Sequence, residues 1–308
     1  MKNYITLDGG TTNTRLSLVV DGKVTATVKY PVGARASIDG KEPLYSAIRE
    51  GIGRLLSDAG LVPSDVERVI ASGMITCEHG LLELPHTVAP AGIDELHAGM
   101  TEQTFPDISP IPFVFIRGVK AVGQLQQTDM MRGEETELMG IIGEDPEGSY
   151  LLPGSHSKLV RVDKDGRITD FQTMLTGEMI HALTSATILK DAVDLTADLD
   201  CDALLDGYRA AEEMGVNSAL FKVRIMKNLF AAPADRVYSF FLGVVLSDEL
   251  SEVIASNPAR VIIGGKRQLR IASAAILEKY LSCPIIALTD EQVESSVALG
   301  AIRVYERG

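Results

Sequence analysis

Basic residues are scarce in this chain: 29 Lys and Arg stand against 42 Asp and Glu among 308 residues, a formal net charge of −13. A nucleic-acid backbone is held by a basic stripe, and none is visible, which excludes nucleic acid and disfavours an anionic membrane surface. Any anionic substrate must meet locally placed cations or backbone amides, because the overall field opposes it. Cysteine is nearly absent too. Cys77, Cys201 and Cys283 are widely spaced, odd in number and free of any CxxC pair, which suits reduced thiols and a cytoplasmic location. Tryptophan is missing and aromatics amount to 5%, yet 45% of the chain is hydrophobic, as expected of a soluble α/β protein. The most apolar stretch, around Phe240 to Leu246, is far too short for a membrane span. The first residues run straight into strand-like sequence, so no signal peptide is expected.

What is present is an internal echo. Residues 4–28 read YITLDGGTTNTRLSLVVDGKVTATV and residues 150–171 read YLLPGSHSKLVRVDKDGRITDF. Each opens with an apolar strand and breaks at a small-residue loop, Gly9-Gly10-Thr11-Thr12 and Gly154-Ser155-His156-Ser157. A basic residue (Arg15, Lys158), an alternating strand, an Asp-Gly turn (Asp21-Gly22, Asp165-Gly166) and a third strand follow. Asp-Gly between alternating strands signals a two-residue hairpin, since glycine supplies the positive φ. The ordered match predicts a duplication.

Behind the first meander, Pro43–Ala59 has helical spacing, Val66–Ala71 and Phe113–Ile116 are strand-like, and Gly133–Ile142 is helical. Behind the second, a helix starts near Gly177 and three more fill Asp202–Ser256. A strand at Arg260–Ile263, a helix at Gln268–Tyr280, a strand at Pro284–Ala287 and a helix at Glu291–Tyr305 complete the chain. The pattern predicts an α/β protein of two ribonuclease-H-like domains with a cleft between them, residues 1–143 and 144–308, the second carrying a helical insertion. The Pro-rich loop Phe105–Pro112 and the turn Glu144–Ser149 are the expected breaks.

A loop of small residues after a buried strand turns several N–H groups toward one point and binds anions without net positive charge. Two such loops from duplicated halves are expected to grip a polyphosphate from both sides. Asp8, at the end of the first strand, is placed to hold a hydrated magnesium ion, with Thr11, Thr12 and Arg15 toward the phosphates. The paired glycines Gly264-Gly265, after an apolar strand, would let a flat ring or ribose approach the backbone; an ordinary strand-to-helix turn explains them equally well.

The segments DGGTTNTR, ASGMITCEHG, MRGEETELMG, LLPGSHSK and TGE, in that order, resemble the 2-dehydro-3-deoxygalactonokinase family. DGGTTNTR also looks like the first phosphate loop of the wider actin, hexokinase and Hsp70 superfamily. The resemblance runs along nearly the whole chain. It implies transfer of phosphate from ATP, with Mg²⁺, to the 6-hydroxyl of a 2-keto-3-deoxy sugar acid, most closely 2-dehydro-3-deoxy-D-galactonate, in galactonate breakdown. It also implies tryptophans where this chain has Gly9, Leu81 and Leu159.

Phosphoryl transfer is mostly positioning and charge stabilisation, with a base for the attacking hydroxyl. Glu134 and Glu135 sit at a helix start, whose positive end favours their ionised form. Glu134 is favoured as base or magnesium-water ligand, with Glu135 close behind; a cluster that only solvates a helix end is the plainer reading. Arg132 is the candidate for the substrate carboxylate, which a guanidinium meets with two parallel hydrogen bonds. His156 and Lys158 could neutralise the phosphoryl group. Ser72-Gly73-Met74 could line the sugar pocket and Glu178 contact sugar hydroxyls, although Thr176-Gly177-Glu178 also reads as a simple helix cap. Ser155 and His156 do not make a hydrolase pair, because neighbours on an extended strand face opposite sides. An exopolyphosphatase-like phosphohydrolase and a non-catalytic ATP-binding sensor are the alternatives. The acceptor would be a small molecule, and the sequence leaves the assembly open, a homodimer being one option.

Overall fold

Each half of the chain begins with a strand apolar on both faces, as a strand covered on both sides must be. In a computed structural model of the protein, which describes residues 2–38 and 40–307, the first is β1 (Asn3–Gly9). It pairs antiparallel with β2 (Thr14–Val20), which pairs antiparallel with β3 (Lys23–Tyr30). Asp21 and Gly22, at φ 45° and 76°, make the two-residue turn expected there. The helix α1 (Glu42–Ala59) follows and buries Leu44, Ile48, Ile52 and Leu55 at intervals of four and three residues. Then come β4 (Arg68–Gly73), β5 (Thr87–Val88), α2 (Ile93–Ala98), β6 (Thr101–Phe105), β7 (Ser109–Phe115), β8 (Val119–Ala121), β9 (Asp129–Met131) and α3 (Glu134–Ile141).

The main sheet runs β3-β2-β1-β4-β7-β6, with β1, β4 and β7 parallel. Leu7, Leu16, Ile48, Val69, Phe113 and Phe115 meet in the core between it and α1. The expected break at Phe105–Pro112 is instead the β6–β7 hairpin. Pro110 and Pro112 fit because β4 pairs with β7 only from Phe113 onward and the β6 register shifts between Gln103 and Phe105, and Pro106 lies in the turn, so none of the three missing N–H groups is needed. The small sheet β5-β8-β9 and helix α2 are too short for apolar spacing to announce them.

The second half repeats the order. β10 (Gly148–Leu152), β11 (Ser157–Val162) and β12 (Ile168–Met174) precede four helices, α4 (Thr176–Ala186), α5 (Cys201–Met214), α6 (Val216–Asn228) and α7 (Ala234–Ala255). After them come β13 (Val261–Ile263), α8 (Arg267–Tyr280), β14 (Ile285–Ala287) and α9 (Asp290–Glu306). The sheet order β12-β11-β10-β13-β14 matches β3-β2-β1-β4-β7 strand for strand, with β10, β13 and β14 parallel. This is the ribonuclease-H-like α/β arrangement in both halves. One turn differs from expectation. Asp165-Gly166 lies in a five-residue loop between β11 and β12, not a two-residue hairpin, because Asp163 accepts from the backbone N–H of Asp165 and Arg167 and from the Arg167 guanidinium. Helix α7 is buried nearly all round, yet no helix among the described residues is long and apolar enough to cross a membrane.

The chain divides into two compact units, one of Met1–Pro146, Val162–Asp170 and Asp290–Gly308, the other of Glu147–Arg161 and Phe171–Thr289. A division at 143/144 leaves the last helix in the second half; the contacts put it in the first. The reason is packing. Gly140 of α3 and Gly300 of α9 let the two helix backbones touch, and Tyr305 meets Tyr4 of β1 edge-on at 5.5 Å. In the second unit α5 and α7 cross in the same way at Gly207 and Gly243.

Candidate active site

The first loop leaves β1 at Asp8-Gly9 and is closed by the Gly10 N–H donating to Asn13 O at 2.8 Å. From behind, Ala34 N–H donates to Gly10 O and Arg35 N–H to Thr11 O, both at 3.0 Å, and Gly33 is bare because a side chain there would strike Gly10 and Thr11. Thr11, Thr12 and Asn13 face outward. Cross-strand register then sets a row on one face: Asp8 opposite Arg15, and Arg15 opposite Lys29. Asp8, Thr12, Arg15 and Lys29 line a cavity of 340 Å³, and Arg15 and Lys29 also border a neighbouring one of 350 Å³ with Glu294. The Nε of Arg15 is buried without a hydrogen-bond partner.

Lys29 was not singled out from sequence. An ideal two-residue turn at Asp21-Gly22 puts Val28 opposite Arg15; a bulge between Leu18 and Val19 moves the register by one and brings Lys29 there.

Three separated motifs meet at Asp8. Gly73, at φ 81°, lies against Gly9 O and 3.4 Å, measured from where a Cβ would sit, from the Asp8 carboxylate; Gly133 lies against Gly73 in turn. Ser72 pairs with Asp8 in the β1–β4 register, is 1% exposed, and its hydroxyl has no partner. Met74 is half-buried beside it. Asp8 is half-buried where it borders the cavity, and burial raises the pKa of its carboxyl. Arg15 opposes that rise, the Glu134 charge adds to it, and Lys29 opposes it again. Two acids close enough for the charge of one to raise the proton affinity of the other are the kind of pair that binds a divalent cation through one or two carboxylates, water and phosphate oxygens.

The two candidate bases separate clearly. Glu134 is half-exposed and accepts from the Arg132 N–H at 3.1 Å. Glu135 is fully buried and accepts from Gly133 N–H at 2.7 Å and the Thr136 hydroxyl at 3.1 Å. Burial, then the Glu134 charge, push Glu135 up to about 8, so near neutrality it is mostly protonated.

Arg132 is held by the protein's own acceptors. Its Nη1 donates to Thr76 O and Thr76 Oγ1, and its Nη2 points to Leu84 O at 3.3 Å and His86 Nδ1 at 3.4 Å. With both terminal nitrogens directed at protein acceptors, the guanidinium ties the segment 76–86 to the start of α3. His86 is the neighbour that sequence missed; burial, Arg132 and Lys120 lower its pKa.

In the second unit the loop Pro153–Lys158 is held from two sides. Gly264 N–H donates to Leu151 O at 2.9 Å and Lys266 N–H to Pro153 O at 2.8 Å, while Gly265, at φ 66°, packs directly on Pro153. On the other side Glu178 N–H donates to Ser155 O at 3.2 Å, Gly177 packs on Gly154 and Ser155, and His156 Nε2 meets Glu178 Oε1 at 2.9 Å. Ser155 and His156 are exposed. Lys158 is 3% exposed within β11, so any phosphate contact it makes comes from beneath the loop, not from its tip.

Comparison with known proteins agrees with these motifs. Residues 8–296 match the family model for 2-keto-3-deoxy-galactonokinase. The 2-dehydro-3-deoxygalactonokinase of Escherichia coli strain K12 is 26% identical over 270 residues, covering 85% of each chain. A Rhizobium meliloti protein named as a probable 2-dehydro-3-deoxygalactonokinase, DgoK1, is 31% identical over 272 residues, covering 82% of this chain and 81% of its own. A Sinorhizobium meliloti crystal structure, assigned provisionally to the same activity, superposes with a TM-score of 0.77 over 98% of this chain and 99% of its own at 23% identity, a likeness of fold.

Proposed function

The chain belongs to the 2-keto-3-deoxy-galactonokinase family, and on that premise we propose that it transfers the γ-phosphoryl group of ATP to the 6-hydroxyl of 2-dehydro-3-deoxy-D-galactonate. The observation that carries this reading is the meeting of the Asp8, Gly73 and Gly133–Glu134 motifs around one half-buried carboxylate.

In this mechanism Glu134 accepts the proton of the sugar hydroxyl as its oxygen attacks the γ-phosphorus, and ADP leaves with the electrons of the β–γ bridging bond. Glu135, mostly protonated, stays beneath as a neutral support. Asp8 would hold magnesium, which when bound offsets the charge of the phosphate oxygens. Arg15 and Lys29, in register with Asp8, supply the fixed positive charge that the chain as a whole lacks. The Gly154–His156 loop is assigned to phosphate and the Gly264-Gly265 turn to adenosine. Ser72 and Met74 line the sugar side, with Glu178 toward the sugar hydroxyls, and Arg132 acts as a positioning residue. A cytoplasmic role in galactonate breakdown goes with three cysteines that are all unpaired.

The test is a transfer assay across 2-keto-3-deoxy acids, with the phosphorylated hydroxyl mapped by NMR and free phosphate followed in parallel. Acid-dependent product at the 6-position supports the proposal. Phosphate release that is as fast without any acid would make the protein a hydrolase.

A further inference from the structure

Helix α7 belongs to the helical insertion, and its Glu249 is 1% exposed, an ionisable group among buried residues that are apolar apart from Ser239 and Ser247. An acid there is costly unless its oxygens are met. The Thr176 hydroxyl donates to its Oε2, and the Ser157 hydroxyl also hydrogen-bonds to the carboxyl. Ser157 is the residue whose Oγ accepts from Gly154 N–H at 3.3 Å, and Thr176 opens the helix whose next two residues pack on Ser155 and Gly154. One buried carboxyl thus holds both walls of the second loop, while its Oε1 has no partner. A simple core position gains nothing from this arrangement, since an apolar residue of similar size would cost less.

We propose that Glu249 is a positioning residue for the second phosphate loop, fixing Ser157 and Thr176 so that the exposed tip at Ser155-His156 keeps the shape that takes ATP phosphates. The inference rests on the nucleotide reading given above. Burial raises the Glu249 pKa to about 7, against the pull of Thr176 and Ser157, so a neutral side chain of the same shape is a fair substitute.

Glu249→Ala is expected to weaken affinity for a non-hydrolysable ATP analogue about tenfold and raise KM for ATP in parallel, with KM for the sugar acid within about twofold. Glu249→Gln, which can still accept from both hydroxyls, should stay within about threefold of the unaltered protein in all three quantities. A Glu249→Ala protein that melts earlier but binds the analogue as tightly as before would reduce Glu249 to a core residue and overturn the proposal. If that variant does not fold, Ser157→Ala and Thr176→Val remove the hydroxyls with the acid in place. Unchanged analogue affinity in both overturns the proposal equally. Analogue affinity is measured without sugar acid, so an unaltered protein that binds the analogue but phosphorylates no acid defeats the kinase reading alone.

Discussion

Asp8 sits where a carboxylate is disfavoured: burial raises its pKa, and the Glu134 charge adds to a rise that Arg15 and Lys29 offset only in part. A carboxyl whose folded pKa lies above its ordinary value binds protons more readily folded than unfolded. Its charge therefore weakens the folded state as pH climbs above the ordinary Asp range. Asp8→Asn removes that charge. We expect its melting temperature at pH 8 to equal or exceed that of the unaltered protein, while magnesium-dependent turnover falls by about a hundredfold or more. A thermal melt beside a magnesium titration checks both, and retention of most activity would remove Asp8 from the metal. Arg132 behaves in the opposite sense. Arg132→Ala takes the guanidinium donor from Leu84 O and one of two donors from Thr76 O, which keeps the Leu84 N–H, and should cost about 1–3 kcal/mol of stability, read as a lower urea midpoint. Arg132→Lys should recover only a small part, because an ammonium cannot span the same acceptors.

At the scale of elements, helix pairs built on glycine recur in both units: α3 with α9 at Gly140 and Gly300, α5 with α7 at Gly207 and Gly243. A methyl at Gly300 would enter the space of Thr136 O and Gly140 N, which are backbone atoms and cannot swing aside. Gly300→Ala should therefore cost more than about 3 kcal/mol, and a melting temperature within about 2 °C of the unaltered protein would mean the helices part easily. The elements themselves were largely readable. The β1–β2–β3 meander, α1, α3 and every helix after Gly177 follow from apolar spacing and turn residues. The β6–β7 hairpin was not, because prolines suggest a loop unless the pairing that excuses them is known. Nor was Lys29, since alternation gives the face of a residue only while register holds, and the bulge at Leu18/Val19 shifts it.

For the whole molecule, the decisive contact is the return of the last helix. Deleting residues 290–308 strips α3 of its partner and β1 of Tyr305 and Glu306, which bond to Tyr4 by ring contact and by a 3.0 Å hydrogen bond. The truncated chain should lose cooperative melting by circular dichroism in its first unit, whereas a single sharp transition within about 5 °C of the full chain would show that α9 is dispensable. The duplication, the α/β class, the two small-residue loops and the acids at Glu134-Glu135 were determined by sequence alone, because strand alternation, glycine turns and helix starts act over a few neighbouring residues. Tertiary structure decided which of the two acids is exposed, that Arg132 spends its hydrogen bonds on Thr76 and Leu84, that Glu249 reaches under the second loop, and that the chain's end completes its beginning. Burial and long-range partners set those outcomes, and neither is written in local spacing.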